Sequence, residues 1–349
     1  MAEGKAPPGI LERGLDAGLH KVEFDPAEHG MAPLSLQVLV PGQPCPADLF
    51  LALYDRQTKS VKMQHACSRG EEFRAKWRDT LIKAEQHRVY IRLEDAQALT
   101  DYYDRFVGEI LSDPNATSRK KALVVQEMAS LNLRMFFGTD MDPKDTEKAV
   151  SRAEETVNWM ARDPELLRKL SDVLKSDYSL YSHSVNVSML SMAFGRFLRL
   201  GEDRIHLLGM GGLLHDIGMA KIPKELLRKS GNLNPAEMEV IKKHPYQGYQ
   251  TLMNVAAVPY PVLRIVLHHH EKADGSGYPN RLKGQNIPYL ARLTSLVDAY
   301  DAMTSERPYH EPVKPFAAAT TLAEAISDKF GKELVLAFVR FLGSPFVAG

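Results

Sequence analysis

The spacing of hydrophobic positions changes about a third of the way along the chain. In the first part, aliphatic residues between Leu34 and Val40 alternate with other residues, as in a half-buried strand. The segments DLFLALYD and VKMQHAC flank a polar RQTKS and predict a hairpin, and a helical stretch separates them from a further strand, RVYIRL. Another helix is predicted at about 97–111. These patterns predict a small α/β module at residues 31–112, after a loose lead-in at residues 1–30.

The rest of the chain has the spacing of helices. The segment SDPNATSRKK, at 112–121, predicts a helix stop followed by a polar turn. From Ala122 onward the hydrophobic spacing is helical nearly to the end, with Pro and Gly between the periodic segments. We therefore predict a helical linker at 113–150 and an all-α helical-bundle domain at 151–349, which makes the chain α+β overall. The module at 31–112 is predicted to have a regulatory or dimerisation role.

Composition narrows the class of protein. Lys plus Arg and Asp plus Glu both total 44, so the formal net charge of zero argues against a protein that binds the phosphate backbone of DNA or RNA. No apolar run approaches the length of a membrane span, and the first residues have no apolar signal core. Two cysteines, Cys45 and Cys67, are too few for a disulfide scaffold. A cytoplasmic protein that does not bind membranes is expected.

Histidine is the residue type that indicates a candidate functional site. In the segment SLYSHSVNVSMLSMAFGRFL, His183 shares a helical stripe with Val187 and Phe194 and is therefore predicted to face the core. Taken alone, a core histidine bonded to a carbonyl is commoner than a metal ligand. His215 and Asp216 adjoin at the end of an apolar helix, where burial costs free energy unless a partner such as a divalent metal pairs with them.

Further candidates follow along the same helical segment. His244 precedes Pro245 and is predicted to lie at a helix end, as a polar cap or as a ligand. Asp298 and Asp301 stand in a run of apolar residues that favours an inward position for one of the two. Three histidines open the segment HHHEKADGSGYPNRLKGQNIP, whose DGSG also fits an ordinary turn.

The ordered set of motifs is a more specific signal of function than any one motif alone. The segments YSHSVNV, LLHDIG followed by IP, KKHPYQGY, HHEKADGSGYPNRLKGQNIP and VDAYDAMTSERPY occur in one order over roughly residues 170–315. In these motifs the chain resembles the HD-GYP phosphodiesterases, a branch of the HD metal-dependent hydrolase superfamily. The resemblance does not extend to the first 120 residues.

The resemblance implies a set of metal ligands. They are His183, His215, Asp216, His244, His269, His270 and Asp298. It implies two divalent metal ions per chain, iron or manganese, with Asp216 as the bridging ligand and a bridging hydroxide as the nucleophile. His268 is then an additional histidine with no assigned role.

The resemblance also implies a substrate. It is cyclic di-GMP, hydrolysed mainly to linear pGpG, with the loop residues Gly275, Gly277, Tyr278 and Pro279 shaping the substrate side. Catalytic roles are implied for Asp216, Tyr278 and Arg307, the last as a phosphate contact. A catalytically weak cyclic dinucleotide receptor and a hydrolase of another cyclic dinucleotide stay open as alternatives. A homodimer and signalling partners such as GGDEF-domain proteins fit the same resemblance.

Three positions depart from the family pattern. Ser179 stands where members with a third metal have a glutamate, which lowers the expected number of ions to two. Met219 and His310 stand where many members have basic residues. Their loss of positive charge near the phosphates predicts slow turnover.

Overall fold

The structure, a computed structural model, describes most of the chain. The described residues are 26–36, 38–55, 58, 60–84, 86–137, 143–162, 180–227, 229, 231–305 and 312–344. The chain divides into two compact units, Met1–Leu131 and Asn132–Gly349. The domain limits expected from the sequence, at residues 30, 112 and 150, stay predictions. No described helix is long and apolar enough to cross a membrane.

The first unit contains a four-stranded antiparallel sheet. Its strands are β1 (Met31–Ser35), β2 (Leu49–Asp55), β3 (Ser60–Cys67) and β4 (Arg88–Arg92), in the spatial order β1-β4-β2-β3. The hairpin of β2 and β3 and the strand β4 occupy the positions that the sequence pattern predicts. The first strand ends at Ser35, although Leu36 and Val38 beyond it are also buried.

Three helices accompany this sheet along the chain. They are α1 (Ala75–Lys83), α2 (Ala96–Ser112) and α3 (Ser118–Phe137). The polar turn expected at 112–121 is shorter than predicted, since the Thr117 hydroxyl accepts a hydrogen bond from Lys120 N at 3.2 Å and so caps the start of α3. Tyr102 on α2 accepts a hydrogen bond from Val40 N at 2.8 Å, which ties the segment after β1 to this helix.

All the regular secondary structure in the described part of the second unit is helical. Its further helices are α4 (Pro143–Arg162), α5 (Leu180–Phe197), α6 (Glu202–Leu214), α7 (Lys224–Leu227), α8 (Pro235–Ile241), α9 (His244–Leu252), α10 (Tyr260–His268), α11 (Tyr289–Thr304), α12 (Pro315–Glu324), α13 (Ser327–Phe330) and α14 (Lys332–Leu342). A sheet-bearing unit and a helical one confirm the expected α+β class.

Aromatic packing and glycine contacts hold the helical unit together. The ring of Phe194 on α5 lies 5.0 Å from that of Phe338 and 5.4 Å from that of Phe341, both on α14. All three side chains are buried, and burial of such rings is a major source of stability. At the other contact of α5, a Cβ on Gly212 of α6 would lie 2.4 Å from Ser188 Cα. Only glycine allows this approach, which brings the polar face of α5 next to the end of α6.

Candidate metal centre

The end of α6 presents the first two candidate ligands. His215 follows the last residue of the helix, and Asp216 then leads into a 3-10 turn, Ile217–Lys221. A Cβ on Gly218 in this turn would lie 2.0 Å from His244 O and 2.5 Å from Gly248 N. The glycine after the His-Asp pair therefore lets the turn lie directly against α9, which places His244 beside Asp216.

Three histidine rings are oriented by backbone carbonyls. In each, Nδ1 lies 2.8 Å from the carbonyl oxygen three residues earlier, so that Nδ1 carries the proton and Nε2 is left with a lone pair. The pairs are His215 with Gly212, His244 with Ile241 and His269 with Val266. The Nε2 atoms of His244 and His269 lie 3.2 and 3.7 Å from Asp216 Oδ1. This tautomer is the one that can bind a metal through Nε2.

His183 is oriented instead by a carboxylate. Its Nδ1 lies 2.7 Å from Oδ2 of Asp301, whose other oxygen accepts a hydrogen bond from Asn186 Nδ2 at 3.0 Å. Its Nε2 faces the remaining acids, at 3.2 Å from Asp298 Oδ1 and 3.9 Å from Asp216 Oδ2. The sequence pattern favoured an inward position for one of Asp298 and Asp301, but both are buried because they share one face of α11.

The candidate ligand atoms fall into two groups that share one residue. Asp216, His244, His269 and His270 form one group, and His183, His215 and Asp216 form the other. Within each group the ligand atoms lie within 4.8 Å of one another. Asp298 lies between them, with Oδ2 at 3.8 Å from His270 Nδ1. The structure thus brings all seven expected ligand residues together.

The donor atoms fit divalent metal ions. Nε2 of His215 is buried and makes no hydrogen bond to any described atom, although Asp216 Oδ2 lies 3.3 Å away. A buried ring nitrogen without a hydrogen bond is costly unless something else pairs with it. Imidazole and carboxylate donors suit first-row divalent ions such as iron and manganese.

For Asp216, His269 and His270 the electrostatics of the centre favour the protonation states that metal binding needs, whereas the pKa of His215 is, despite its burial, raised by the nearby Asp216 and Asp298. Burial lowers the pKa of His269 well below its ordinary value and that of His270 to about 3, so both rings are neutral near pH 7. Burial would raise the pKa of Asp216, but the neighbouring His215 and His244 outweigh it and hold that pKa well below its usual range. Neutral imidazoles and an ionised carboxylate are the forms that bind metals.

A loop anchored by Glu271 closes one side of the centre. The two carboxylate oxygens of the buried Glu271 accept hydrogen bonds from Asn280 N at 2.7 Å and Leu282 N at 3.0 Å. Tyr278 lies against His270, with ring centroids 4.7 Å apart, and burial together with the nearby acids raises the pKa of its hydroxyl. The Tyr278–Pro279 peptide bond is cis.

The two loop glycines serve different purposes. Gly275 has φ +83°, a conformation that side chains disfavour, as the sequence predicts for a turn glycine. Gly277 does not have a positive φ. A Cβ on it would instead lie 2.4 Å from Lys272 N and 2.5 Å from Glu271 Cα. Its role is close packing of the loop onto the backbone that follows the histidine run.

The remaining predicted residues fall into two sets. His268 is buried at the end of α10 and belongs to neither ligand group, with Nδ1 at 3.8 Å from Glu271 Oε1; burial and then Arg264 lower its pKa to about 4. Ser179, Arg307 and His310 lie outside the described residues.

The sequence assigned no structural role to several residues that build the centre. Asp301 and Asn186 orient His183, Gly218 sets the contact with α9, and Glu271 holds the loop. The available signals were the position of Gly218, two residues after Asp216, and that of Asp301, one helical turn after Asp298.

Comparisons with known proteins agree with this geometry. Residues 165–334 match the HD_5 family model, an HD domain. The chain is 34% identical over 226 residues to a cyclic di-GMP phosphodiesterase of Pseudomonas aeruginosa, covering 64% of this chain and 54% of that relative. It is also 34% identical over 132 residues to the 3'3'-cGAMP-specific phosphodiesterase 2 of Vibrio cholerae, covering 38% of this chain and 25% of that relative. The chain thus spans about half the length of the first relative and a quarter of the second.

The fold also has a solved counterpart. Bd1817, an HDG"Y"P protein from Bdellovibrio bacteriovorus, superposes with a TM-score of 0.66 at 21% identity, over 90% of this chain and 100% of that one. This likeness shows the fold, and residues 165–334 of the helical unit are similar to HD domains. Together with the phosphodiesterase relatives, this match confirms the resemblance to the HD-GYP phosphodiesterases in the motifs.

Proposed function

We propose that this protein is a metal-dependent phosphodiesterase that hydrolyses cyclic di-GMP, mainly to pGpG. The observation that carries the proposal is the convergence of seven ligand residues in two groups that share Asp216. The name of the Pseudomonas aeruginosa relative supports the substrate. The sharing of Asp216 supports two ions, iron or manganese, rather than one.

The residues of the chain divide the work. Two bound divalent ions would polarise the scissile phosphate and lower the pKa of an attacking water. Backbone carbonyls hold the Nδ1 protons of His215, His244 and His269, and Asp301 holds that of His183, so each Nε2 is directed to the centre. In the proposal Asp216 bridges the two groups.

Substrate contacts are assigned to the loop side of the centre. Tyr278 offers a ring and a protonated hydroxyl next to His270, and Glu271 fixes the backbone that carries it. Gly275, Gly277 and Pro279 determine the backbone path of this loop. We assign a phosphate contact to Arg307 because an arginine fork suits that task.

The decisive experiment combines metal analysis with product chromatography. Protein purified without oxygen should contain about two ions per chain and convert cyclic di-GMP to pGpG. Chelation should abolish turnover, and manganese or iron should restore it. A reproducible count of three ions would contradict the binuclear assignment.

The same assay separates the alternatives. Binding of cyclic di-GMP without turnover under any metal would favour a cyclic dinucleotide receptor, which the missing basic side chain at Met219 supports. Faster hydrolysis of 3'3'-cGAMP than of cyclic di-GMP would favour the second alternative, which the name of the Vibrio cholerae relative supports.

A further inference from the structure

The two cysteines of the chain lie in contact in the sheet-bearing unit. Cys45 and Cys67 are the only cysteines among the 349 residues, and they are 22 positions apart. Their sulfur atoms lie 3.0 Å apart, and both residues are buried as free thiols. Two unrelated cysteines in a chain of this length would seldom meet by chance.

The backbone on both sides holds this contact in place. Cys67 ends β3, where it lies opposite Leu49 on β2. Cys45 N donates to Glu71 O at 2.7 Å, and Gly70 N donates to Cys45 O at 2.9 Å. The segment that carries Cys45 is thus bonded to the turn that directly follows Cys67, so the two sulfurs do not depend on a loose loop for their approach.

The contact is closer than apolar packing requires. Carbon atoms in a protein core pack best at about 3.5–4.0 Å, and sulfur is larger than carbon. A disulfide needs the sulfurs to approach to about 2.05 Å, a further movement of only about 1 Å. Residues 68–72, which follow Cys67, are exposed, so a small oxidant has a short path to the pair.

We propose that Cys45 and Cys67 are an oxidisable pair that forms a reversible intramolecular disulfide with a peroxide as the oxidant. The Cys45 thiolate attacks one peroxide oxygen, the O–O bond breaks, and the departing hydroxide takes a proton to become water. The Cys67 sulfur then attacks the Cys45 sulfenic acid, the S–S bond forms, and the S–O bond breaks with release of a second water. The two sulfurs supply the two electrons that reduce one peroxide to two waters.

The surroundings give the two thiols different roles. The hydrogen bond from Cys67 lowers the pKa of the Cys45 thiol, whereas the same bond and burial raise the pKa of Cys67. Cys45 is therefore the attacking thiolate and Cys67 the resolving thiol. The carboxylate of Glu71, with Oε2 at 3.7 Å from Cys67 Sγ, raises both pKa values and slows the reaction.

The first test counts thiols in the full-length protein. After treatment with hydrogen peroxide and removal of the excess, the denatured chain should show loss of both thiols together. Mass spectrometry should find the peptides of Cys45 and Cys67 joined, with two hydrogen atoms fewer, and dithiothreitol should return both thiols. The oxidised protein should also unfold at a temperature several degrees higher, because the bond closes a loop in the unfolded chain.

Variants separate the pair from its alternatives. Cys45→Ser and Cys67→Ala should each prevent the joined peptide. Glu71→Gln removes the negative charge that raises both thiol pKa values, so it should speed oxidation. Each unit by which the thiol pKa falls raises the thiolate fraction about tenfold but lowers the nucleophilicity of the thiolate about threefold, so the net gain should be about threefold per unit. Glu94→Gln, an exposed acid of the same unit, serves as the control and should leave the rate unchanged.

Three results would overturn the proposal. The thiols of the folded wild-type protein could survive a peroxide excess, the product could be a sulfinic acid or a bond between two chains, or the pair could retain Zn²⁺ that blocks its oxidation. Each is visible in the wild-type protein, so the proposal does not depend on the variants being folded.

Discussion

The histidines on the two sides of the candidate metal centre are oriented by different means. On one side, His215, His244 and His269 each bond to a carbonyl three residues earlier, so the end of each helix fixes its own ligand. On the other side, His183 depends on Asp301, which is 118 positions away. The first side is therefore sensitive to changes in backbone packing, and the second to the loss of a single carboxylate.

The largest effect is expected where the two sides meet. Asp216→Ala should remove the residue that both ligand groups share, and should lose more metal than His183→Ala. Loss of a residue that only hydrogen-bonds to a metal ligand typically lowers activity roughly 10–100-fold. Loss of Asp216 itself should lower activity by more than this. Metal counting and turnover on the same preparation measure both. An Asp216→Ala protein that keeps two ions would show that Asp216 is no bridge.

The side oriented by backbone carbonyls should respond to glycine replacement. Gly218→Ala places a Cβ against His244 O and should destabilise the fold by about 1–3 kcal/mol, with a large loss of metal. Denaturant unfolding and metal counting test this. Gly108→Ala is the control, because a Cβ at this position would meet nothing within 4 Å. This substitution should stabilise α2 by about 0.5–1 kcal/mol. Equal unfolding of parent and Gly218→Ala would refute the tight contact.

The side oriented by a carboxylate should respond to loss of charge. Asp301→Asn keeps the shape of the side chain but weakens its hold on the Nδ1 proton of His183, so metal affinity should fall about 10–100-fold. Metal titration measures this. Asp328→Asn, an exposed acid, should leave affinity unchanged. Equal affinities for Asp301→Asn and the parent would show that His183 needs no carboxylate.

A gain of function is expected at Met219. This half-buried residue lies in the 3-10 turn after Asp216, while Lys221 at the end of the turn is exposed. Met219→Lys should raise the catalytic rate up to about tenfold without changing metal content, since a positive charge stabilises the developing negative charge on phosphate. Met253→Lys adds the same charge at an exposed site and should have no effect. A folded, fully metallated Met219→Lys enzyme with the parent's rate would end this idea.

The smallest effect on metal content is expected at His268. Although it adjoins two ligands, it belongs to neither group, so His268→Ala should retain both ions while losing some stability from a buried cavity. Metal counting decides the outcome. An empty centre in this variant would mean that the alignment of the histidine run is wrong by one position.

The sequence predicted local features of the structure better than long-range ones. Helical spacing predicted that His183 faces inward, and Pro245 predicted that His244 lies at a helix end, where it is the first residue of α9 rather than a residue outside the helix. These predictions succeeded because they depend on one helix. The role of Asp301 depends on contact between α5 and α11, and that of Gly277 on the backbone it meets, which spacing along the chain does not encode. The alternation of hydrophobic and polar residues could not predict the order of the strands either, because several strand pairings bury the same residues.

The hydrogen bonds of Glu271 have a consequence for protein engineering. Because its carboxylate binds Asn280 N and Leu282 N, and Tyr278 N bonds to His270 O at 3.3 Å, the stretch from 269 to 282 closes upon itself. A unit to be transplanted would have to begin at Val266, whose carbonyl holds His269, and would carry two proposed ligands and the ring of Tyr278. A graft into another helical scaffold has to include Glu271, since the histidines and the loop transferred without it would no longer keep their mutual spacing.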